Sequence, residues 1–403
     1  MRIAVVGGGA AGFFAAIACA RANPAREVTL LEGGRQFLTK VRISGGGRCN
    51  VTHACFDPRE LSGRYPRGGR ALIGAFHRFQ PADTAEWFAE RGVRLKTESD
   101  GRMFPVTNSS QTIVDCLLDA AREAGVKLRA GCMIKSARRV DSGFALALSD
   151  GSELACDRLC ITTGGCRTPA AGKWIEALGH SIEPPVPSLF TFHIDTPWLR
   201  ELPGVSIEDV EVAVPGAKLR ERGPMLITHW GVSGPSVLRL SAWGARALEE
   251  CGYRFPLRVS WLPDRNVESL LAEFHARRIS QPGKSVANSP LDSLPARLWE
   301  CLVREAGADG KWTTLPRAAA LRLADLLTRT EFPVTGKSLN KDEFVTCGGV
   351  RLREVDFKTM ESRVQPALYF AGEVLDIDGV TGGFNFQAAW TTGWIAGHAM
   401  AQA

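Results

Sequence analysis

The chain has 403 residues, 45% of them apolar and 23% charged, which are the proportions of an ordinary globular protein. Such a composition excludes a largely disordered or fibrous chain, and the length predicts two or three domains. Lys and Arg (49) outnumber Asp and Glu (43) by only six. That excess is too small and too dispersed to indicate a nucleic-acid partner, so none is expected.

The eleven cysteines are scattered from Cys19 to Cys347, with no CxxC pair and no Cys/His spacing typical of a zinc site. They predict reduced thiols in a cytoplasmic protein without a bound metal. No apolar run of the sequence reaches the ~18 residues that a membrane-spanning helix needs, so no membrane association is expected either.

The first 32 residues predict a β-α-β unit. Residues 3–6 are a short apolar run typical of a strand buried on both faces, and residues 28–31 repeat it. The alanine-rich residues 10–22 between them predict a helix. At the turn into this helix the sequence reads G-x-G-x-x-G, the pattern of a dinucleotide-binding loop.

Each glycine of this turn has a physical task. Gly7 permits the tight turn, Gly9 lets a pyrophosphate approach the backbone, and Gly12 lets the helix pack closely on the strand. Ala11 lies in the first helical turn, whose free N–H groups would face the phosphates. Glu32, at the end of the second strand, would accept hydrogen bonds from the adenosine ribose and repel a 2′-phosphate. It therefore favours FAD or NAD over NADP.

A glycine-rich segment follows at residues 44–50. Three consecutive glycines can bring backbone N–H groups close to a ligand, and the arginine and asparagine side chains can donate hydrogen bonds to it. The alternative is a flexible surface loop. The candidate cofactor-binding residues of this segment are Ser44, Gly45, Gly46, Gly47, Arg48, Cys49 and Asn50.

A basic stretch lies beyond this segment. The simple interpretation is that its arginines lie on a solvated surface. The alternative is that they bind an anionic substrate or a cofactor phosphate. The residues are Arg59, Arg64, Arg67, Arg70 and Arg78.

Two later strands end in similar turns. Residues 159–161 lead into Thr-Thr-Gly-Gly and would return to the nucleotide-binding sheet. Residues 368–370 lead into a Gly- and Asp-rich turn and then a helix over residues 388–400, whose N-terminus could face the flavin ring. The acids of this turn are expected to bond the ribityl chain or the loop backbone. The candidate cofactor-binding residues are Thr163, Gly164, Gly372, Glu373, Asp376, Gly382, Gly383 and Asn385.

The candidate nucleotide elements lie near residues 7, 45, 164 and 372. An NAD-binding domain would instead be contiguous over about 150 residues. A site assembled from both ends of the chain suits FAD, which is long and extended. The sequence has no second GxGxxG, so no separate NAD(P)-binding domain is expected.

The middle of the chain predicts an insertion. Residues 1–186 and 343–403 would form the FAD-binding domain, with a boundary after the proline-rich residues 184–187. Short strands predict a β-barrel-like domain comprising residues 187–264 and 331–342, and apolar stripes predict a helical subdomain over residues 265–330.

Four blocks of the sequence together resemble the bacterial flavoproteins of the BaiN/YhiN type. The resemblance implies an α/β fold with a Rossmann-like FAD-binding domain of the two-dinucleotide-binding-domain flavoprotein type. Beside the inserted β-barrel-like domain and small helical subdomain that the residue pattern predicts, it implies FAD held by the first, second and fourth blocks. The blocks are Val6–Gly12, Ile43–Thr52, Thr228–Pro235, and Tyr369–Gly383 with Asn385 and Gln387.

The hypothesis that follows is an FAD-dependent oxidoreductase. NAD(P)H, a transient donor, would reduce the flavin, which would pass hydride to a small unsaturated or carbonyl substrate. A flavin-dependent RNA-modifying enzyme and a non-catalytic redox sensor or partner protein are the alternatives. Cys49, as a thiolate against the flavin, and His229, as a proton donor, are candidate catalytic residues. The alternative for Cys49 is a buried thiol that only packs, and the alternative for His229 is a structural histidine. The sequence leaves the oligomeric state open.

Overall fold

The computed structural model describes residues 1–166, 169–291, 294–338 and 345–402, and the chain divides into two compact units. Unit 1 comprises Met1–Ser188 and Lys341–Ala403, and unit 2 comprises Leu189–Asn340. Across the described ranges, no helix is both long enough and apolar enough to cross a membrane.

The N-terminal part of unit 1 alternates strands and helices. Its strands are β1 Arg2–Val6, β2 Glu27–Leu31, β3 Thr52–His53, β4 Leu95–Thr97, β5 Arg102–Pro105, β6 Lys127–Arg129, β7 Ile134–Val140, β8 Gly143–Leu148, β9 Glu153–Cys156, β10 Arg158–Ile161 and β11 Ile182–Ser188. Its helices are α1 Ala10–Ala22, α2 Thr39–Gly47, α3 Pro58–Ser62, α4 Gly69–Phe76, α5 Pro81–Ala89, α6 Ser110–Glu123 and α7 Pro169–Glu176.

Unit 2 is a closed barrel whose strands follow the order β12-β15-β14-β13-β16-β17. Trp261 lies in its apolar interior, where the indole ring is fully buried beside Phe332. The strands are β12 Thr191–Ile194, β13 Ser206–Val214, β14 Leu219–Thr228, β15 Gly231–Ser233, β16 Phe255–Ser260 and β17 Thr330–Ser338. The helices are α8 Pro235–Trp243, α9 Ala245–Glu250, α10 Val267–Ser280, α11 Ala296–Glu305 and α12 Arg317–Arg329.

The C-terminal part of the chain completes unit 1. Its elements are β18 Val345–Val350, β19 Val355–Asp356, β20 Glu361–Ser362, β21 Leu368–Phe370 and α13 Phe384–Gln402. Helix α13 packs against α1 at very short range, because a Cβ on Gly393 would lie 2.5 Å from the Ala11 carbonyl oxygen. The last helix thereby lies beside the first.

The main sheet of unit 1 has the order β19-β20-β21-β10-β1-β2-β6. Strands β21, β10, β1, β2 and β6 are parallel, and Val6 is level with both Ile161 and Leu31. Because the carboxyl ends of parallel strands meet at one edge of a sheet, the turns after β1, β10 and β21 converge there. The Rossmann-like α/β fold with a barrel insertion is confirmed.

The proline-rich residues 184–187 lie within a strand and do not form a linker. Strand β11 pairs antiparallel with β18, with Val186 level with Cys347. The register shifts between Glu183 and Val186, so Pro184 and Pro185 fall in an irregularity where fewer ladder N–H groups are required. The division between the units follows directly, after Ser188.

Candidate functional site

Two glycines of the turn after β1 are required by packing. Gly7 has φ +114°, its N–H donates to the Leu31 carbonyl at 2.7 Å, and a Cβ there would lie 2.3 Å from the Thr162 carbonyl oxygen. A Cβ on Gly12 would lie 1.9 Å from the Gly7 carbonyl oxygen. These positions therefore allow the sheet and α1 to approach the turn, as the sequence predicts for Gly12.

Gly9 is different, because a Cβ built on it meets no described atom within 4 Å. Its backbone is extended, with φ −95° and ψ −166°, and it is the N-cap of α1. The N–H groups of the first helical turn, including that of Ala11, have no acceptor within the helix. Gly9 thus lies against open space at the positive end of a helix dipole, which fits an approaching pyrophosphate.

Glu32 is held in place by backbone donors. One carboxylate oxygen accepts from the Gly8 N–H at 2.8 Å, and the other accepts from the Gly34 N–H at 2.7 Å. Each oxygen can accept a second hydrogen bond. The carboxylate is therefore fixed beside the turn with capacity left for ribose hydroxyls.

The glycine-rich segment is the irregular end of α2. Gly45, Gly46 and Gly47 have φ values of +57°, +67° and +82°, after a non-helical Ser44. Residues other than glycine disfavour this left-handed conformation, because their Cβ is too close to the backbone. A Cβ on Gly46 or Gly47 would meet no described atom within 4 Å, so this turn also leaves room for a ligand.

Arg48 makes contacts that the sequence did not predict, whereas Cys49 matches one of the two alternatives stated for it. The Arg48 guanidinium pairs with Glu98 at 2.7 Å and lies 4.0 Å from the centre of the Phe104 ring. Cys49 is fully buried, and burial raises the pKa of its thiol to about 12. The thiol stays protonated at neutral pH, which argues against a thiolate beside the flavin and favours the packing alternative.

Asn50 joins the second and fourth sequence blocks. With the amide oriented to satisfy both of its ends, it donates to the Thr52 carbonyl at 3.1 Å and accepts from the Gly383 N–H at 3.0 Å. Gly383 itself admits no side chain, because a Cβ there would lie 2.6 Å from the Thr52 carbonyl oxygen. Residues more than 300 positions apart in the chain thus form one local structure.

The turns after β10 and β21 lie beside the first turn. The Thr162 hydroxyl donates to the Gly7 carbonyl at 2.9 Å, and Thr163 and Gly164 follow, with φ +75° at Gly164. Gly372 donates to the Thr392 hydroxyl oxygen at 2.9 Å, and a Cβ on it would lie 2.8 Å from the Ala11 Cβ. All three turns therefore meet at one edge of the sheet.

The carboxylate of Glu373 in the last turn contacts the backbone, as the sequence predicts. It accepts from the Thr346 N–H at 2.9 Å and forms an ion pair with Lys40. The Asp376 N–H donates to the Val350 carbonyl at 3.1 Å. Asn385 closes the turn on itself, since its amide both accepts from the Gly379 N–H and donates to the Gly379 carbonyl, and Gly382 lies within that turn.

Two buried polar clusters hold the same turns, and neither was predicted as a contact. The side-chain amide oxygen (Oε1) of Gln387 accepts from the hydroxyls of Thr52 at 2.6 Å and Thr84 at 2.9 Å, which ties β3 and α5 to the start of α13. Asp378 is fully buried and forms a bidentate pair with Arg67. Arg67 is therefore a structural cation, unlike a solvated surface arginine.

His229 lies in unit 2, in the exposed turn between β14 and β15, next to an exposed Trp230. It is thus not among the residues that unit 1 brings together. Within the described residues, no group of His, Cys, Asp and Glu could hold a metal ion.

Comparisons with known proteins identify the family of the chain. The HI0933-like protein Rossmann domain model matches residues 1–399. The ribosomal RNA dihydrouridine synthase of Escherichia coli strain K12 is 32% identical over 97% of this chain and 95% of its own. The 3-dehydro-bile acid delta(4,6)-reductase of Clostridium scindens is 28% identical over 100% and 99%.

A solved structure supports the fold alone. The 3-ketosteroid-Δ4-(5α)-dehydrogenase of Rhodococcus jostii RHA1 superposes with a TM-score of 0.52 at 14% identity, covering 100% of this chain and 96% of the other. The chain belongs to the HI0933-like family of flavoprotein oxidoreductases, which confirms the resemblance inferred from the sequence, and it is an FAD-dependent oxidoreductase.

Proposed function

From membership of this family, we propose that the chain uses NAD(P)H to reduce a carbon–carbon double bond conjugated with a carbonyl group. The observation that carries the cofactor assignment is the open space at Gly9 and Gly46 in unit 1, with the free N–H groups of the first turn of α1 beside Gly9. The reaction class comes from the relatives' names. A dihydrouridine synthase and a delta(4,6)-reductase both saturate a double bond in conjugation with a carbonyl.

The residues of unit 1 have distinct parts in this proposal. The N-terminus of α1 stabilises the pyrophosphate, and Glu32 accepts from the adenosine ribose. Gly45, Gly46 and Gly47 admit the dinucleotide close to the backbone, while the N-terminus of α13 favours negative charge near the ring. When bound, FAD would supply hydride chemistry: a hydride from NAD(P)H would pass by way of the flavin to one carbon of the double bond, and a proton from solvent would complete the other carbon.

The substrate has two candidates. The family resemblance favours a small unsaturated or carbonyl compound, as with the bile-acid reductase relative. A uracil base in ribosomal RNA is the second candidate, favoured by the 32% identity with a dihydrouridine synthase over nearly the whole chain. Under the second candidate, the expectation of no nucleic-acid partner would be wrong.

One experiment in two stages tests the proposal. In the first stage, the purified protein is mixed with NADH or NADPH in a stopped-flow spectrometer, and bleaching of flavin absorbance is followed. Failure of both donors to bleach a bound flavin would refute the NAD(P)H half of the reaction, and a protein without flavin even after reconstitution would refute the cofactor.

In the second stage, the reduced protein is offered a steroid enone or unmodified ribosomal RNA, and reoxidation without oxygen is followed. RNA as substrate predicts reoxidation by RNA and binding that weakens steeply with salt. A small substrate predicts reoxidation by the enone and no salt-dependent RNA binding. Bleaching followed by no turnover with any acceptor of either class would instead favour the redox-sensor alternative.

A further inference from the structure

A cation that the sequence did not single out lies at the edge of the proposed cofactor site. Lys40 is in the first turn of α2, and its ammonium pairs with the Glu373 carboxylate. The Lys40 side chain is 42% exposed and that of Glu373 is 18% exposed. The ammonium is therefore accessible to solvent and to a ligand, while its anionic partner is largely enclosed.

Contacts on both sides of Lys40 place it beside the first turn of α1. On one side, Leu38 N–H donates to the Gly8 carbonyl at 2.8 Å, and the Phe37 ring packs edge-on against Phe13 at 5.7 Å. Leu38 is left-handed, with φ +61°, so the start of α2 is held in a strained backbone conformation against the glycine turn. Lys40 follows only two residues later.

On the other side, Glu373 directly follows Gly372, whose Cβ position lies 2.8 Å from the Ala11 Cβ. Ala11 belongs to the first turn of α1. The backbone just before Lys40 therefore contacts the glycine turn, while its ammonium contacts the residue after the strand end that packs on that helix turn.

The charge balance calls for a cation here. A pyrophosphate carries two negative charges, whereas a helix N-terminus offers the equivalent of about half a positive charge. Residues 7–12 are all glycine or alanine, and the first basic residue on α1 is Arg21, at its far end. Arg48, the basic residue of the glycine-rich segment, is committed to Glu98 and the Phe104 ring.

We propose that Lys40 binds the pyrophosphate of the dinucleotide while it remains paired with Glu373. This inference rests on the proposed FAD site and adds a residue to it. An ammonium has three N–H donors, so it can serve Glu373 and a phosphate oxygen together. The alternative is that Lys40 serves only to neutralise the enclosed carboxylate.

A double-mutant cycle separates the two roles. The flavin-stripped protein and its variants K40M, E373Q and K40M/E373Q are titrated with FAD, and binding is followed by quenching of flavin fluorescence. Loss of a charge-assisted hydrogen bond predicts that K40M weakens FAD binding ~10- to 100-fold. K127M is the matched control, because Lys127 also pairs with a glutamate, Glu27, but at the opposite end of β2.

The double variant decides the outcome. If Lys40 binds the phosphates, K40M/E373Q stays as weak as K40M or becomes weaker, and K40R recovers most of the affinity because it keeps the charge. Affinity of K40M within twofold of wild type, or recovery of wild-type affinity in K40M/E373Q, would overturn the inference. Wild-type protein that binds no FAD would instead overturn the proposed function.

Discussion

Alanine at Gly9 or at Gly12 should separate cofactor binding from folding, although the two glycines are only three residues apart. Gly9 has a backbone conformation that alanine adopts easily, and its Cβ meets open space. G9A should therefore leave the free energy of unfolding unchanged or raise it by up to ~1 kcal/mol, since alanine restricts the unfolded chain. Gly12 has no such room, because its Cβ would lie 1.9 Å from the Gly7 carbonyl oxygen. G12A should lower the free energy of unfolding by about 1–3 kcal/mol.

G9A, the variant that keeps its stability, should nevertheless lose affinity for FAD. The methyl group of G9A would occupy the space through which the pyrophosphate reaches the helix N-terminus. The loss of at least one charged hydrogen bond, about 1.5–3 kcal/mol, predicts FAD binding weakened ~10- to 100-fold in a fully stable protein. Urea unfolding of the flavin-stripped variants and fluorescence titration with FAD measure the two quantities. If G9A bound FAD like wild type, the placement of the dinucleotide at this turn would be wrong. If G12A were as stable as wild type, the close packing of α1 on the Gly7 carbonyl would be wrong.

Three further predictions concern buried groups of unit 1. D378N leaves the Arg67 charge without its buried partner, so it should lower the free energy of unfolding by about 3 kcal/mol in urea titrations, whereas exposed E27Q should change it little. Burial lowers the pKa of His180, against the opposing effect of Glu354, so the unfolded chain takes up the proton first. Stability should then fall as the pH drops below about 6.5, and H180Q should weaken that dependence in urea titrations at several pH values. Burial holds the Cys49 thiol protonated, so iodoacetamide at mildly alkaline pH should alkylate exposed Cys251 first, as mass spectrometry of peptides would show. Rapid labelling of Cys49 in folded protein would contradict its burial.

The beginning of the fold could be predicted because its signals are local. The helix at residues 10–22 was predicted with the bounds that the structure gives it, since a short apolar run, a glycine turn and an alanine-rich stretch follow one another directly. The helix after the last turn was placed at residue 388, but α13 begins at Phe384. Its first residues, Phe384 and Asn385, have no strong helix preference, and contacts with distant segments hold them.

The partners within the site could not be predicted, because they come from distant parts of the chain. Asn50 meets Gly383, and Lys40 meets Glu373, across more than 300 residues in each case. Periodicity identifies which residues face a core, but it does not say which two turns meet at a sheet edge. Arg67 shows the same limit, since nothing in a run of arginines distinguishes the one whose partner is a buried aspartate.

The pairing of strands β11 and β18 means that the segment between them, which carries the barrel, could be cut out of the chain without breaking that pairing. Unit 1 is interrupted after Ser188, the last residue of β11, and β18 of unit 1 begins at Val345. Ser188 and Val345 are level with each other in the antiparallel ladder. Everything between them is, topologically, the loop of one β-hairpin. Excision of that loop and closure with a two-residue Asn-Gly turn would keep the ladder in register. An insertion at this point can therefore be exchanged for another without rebuilding the sheet that carries it.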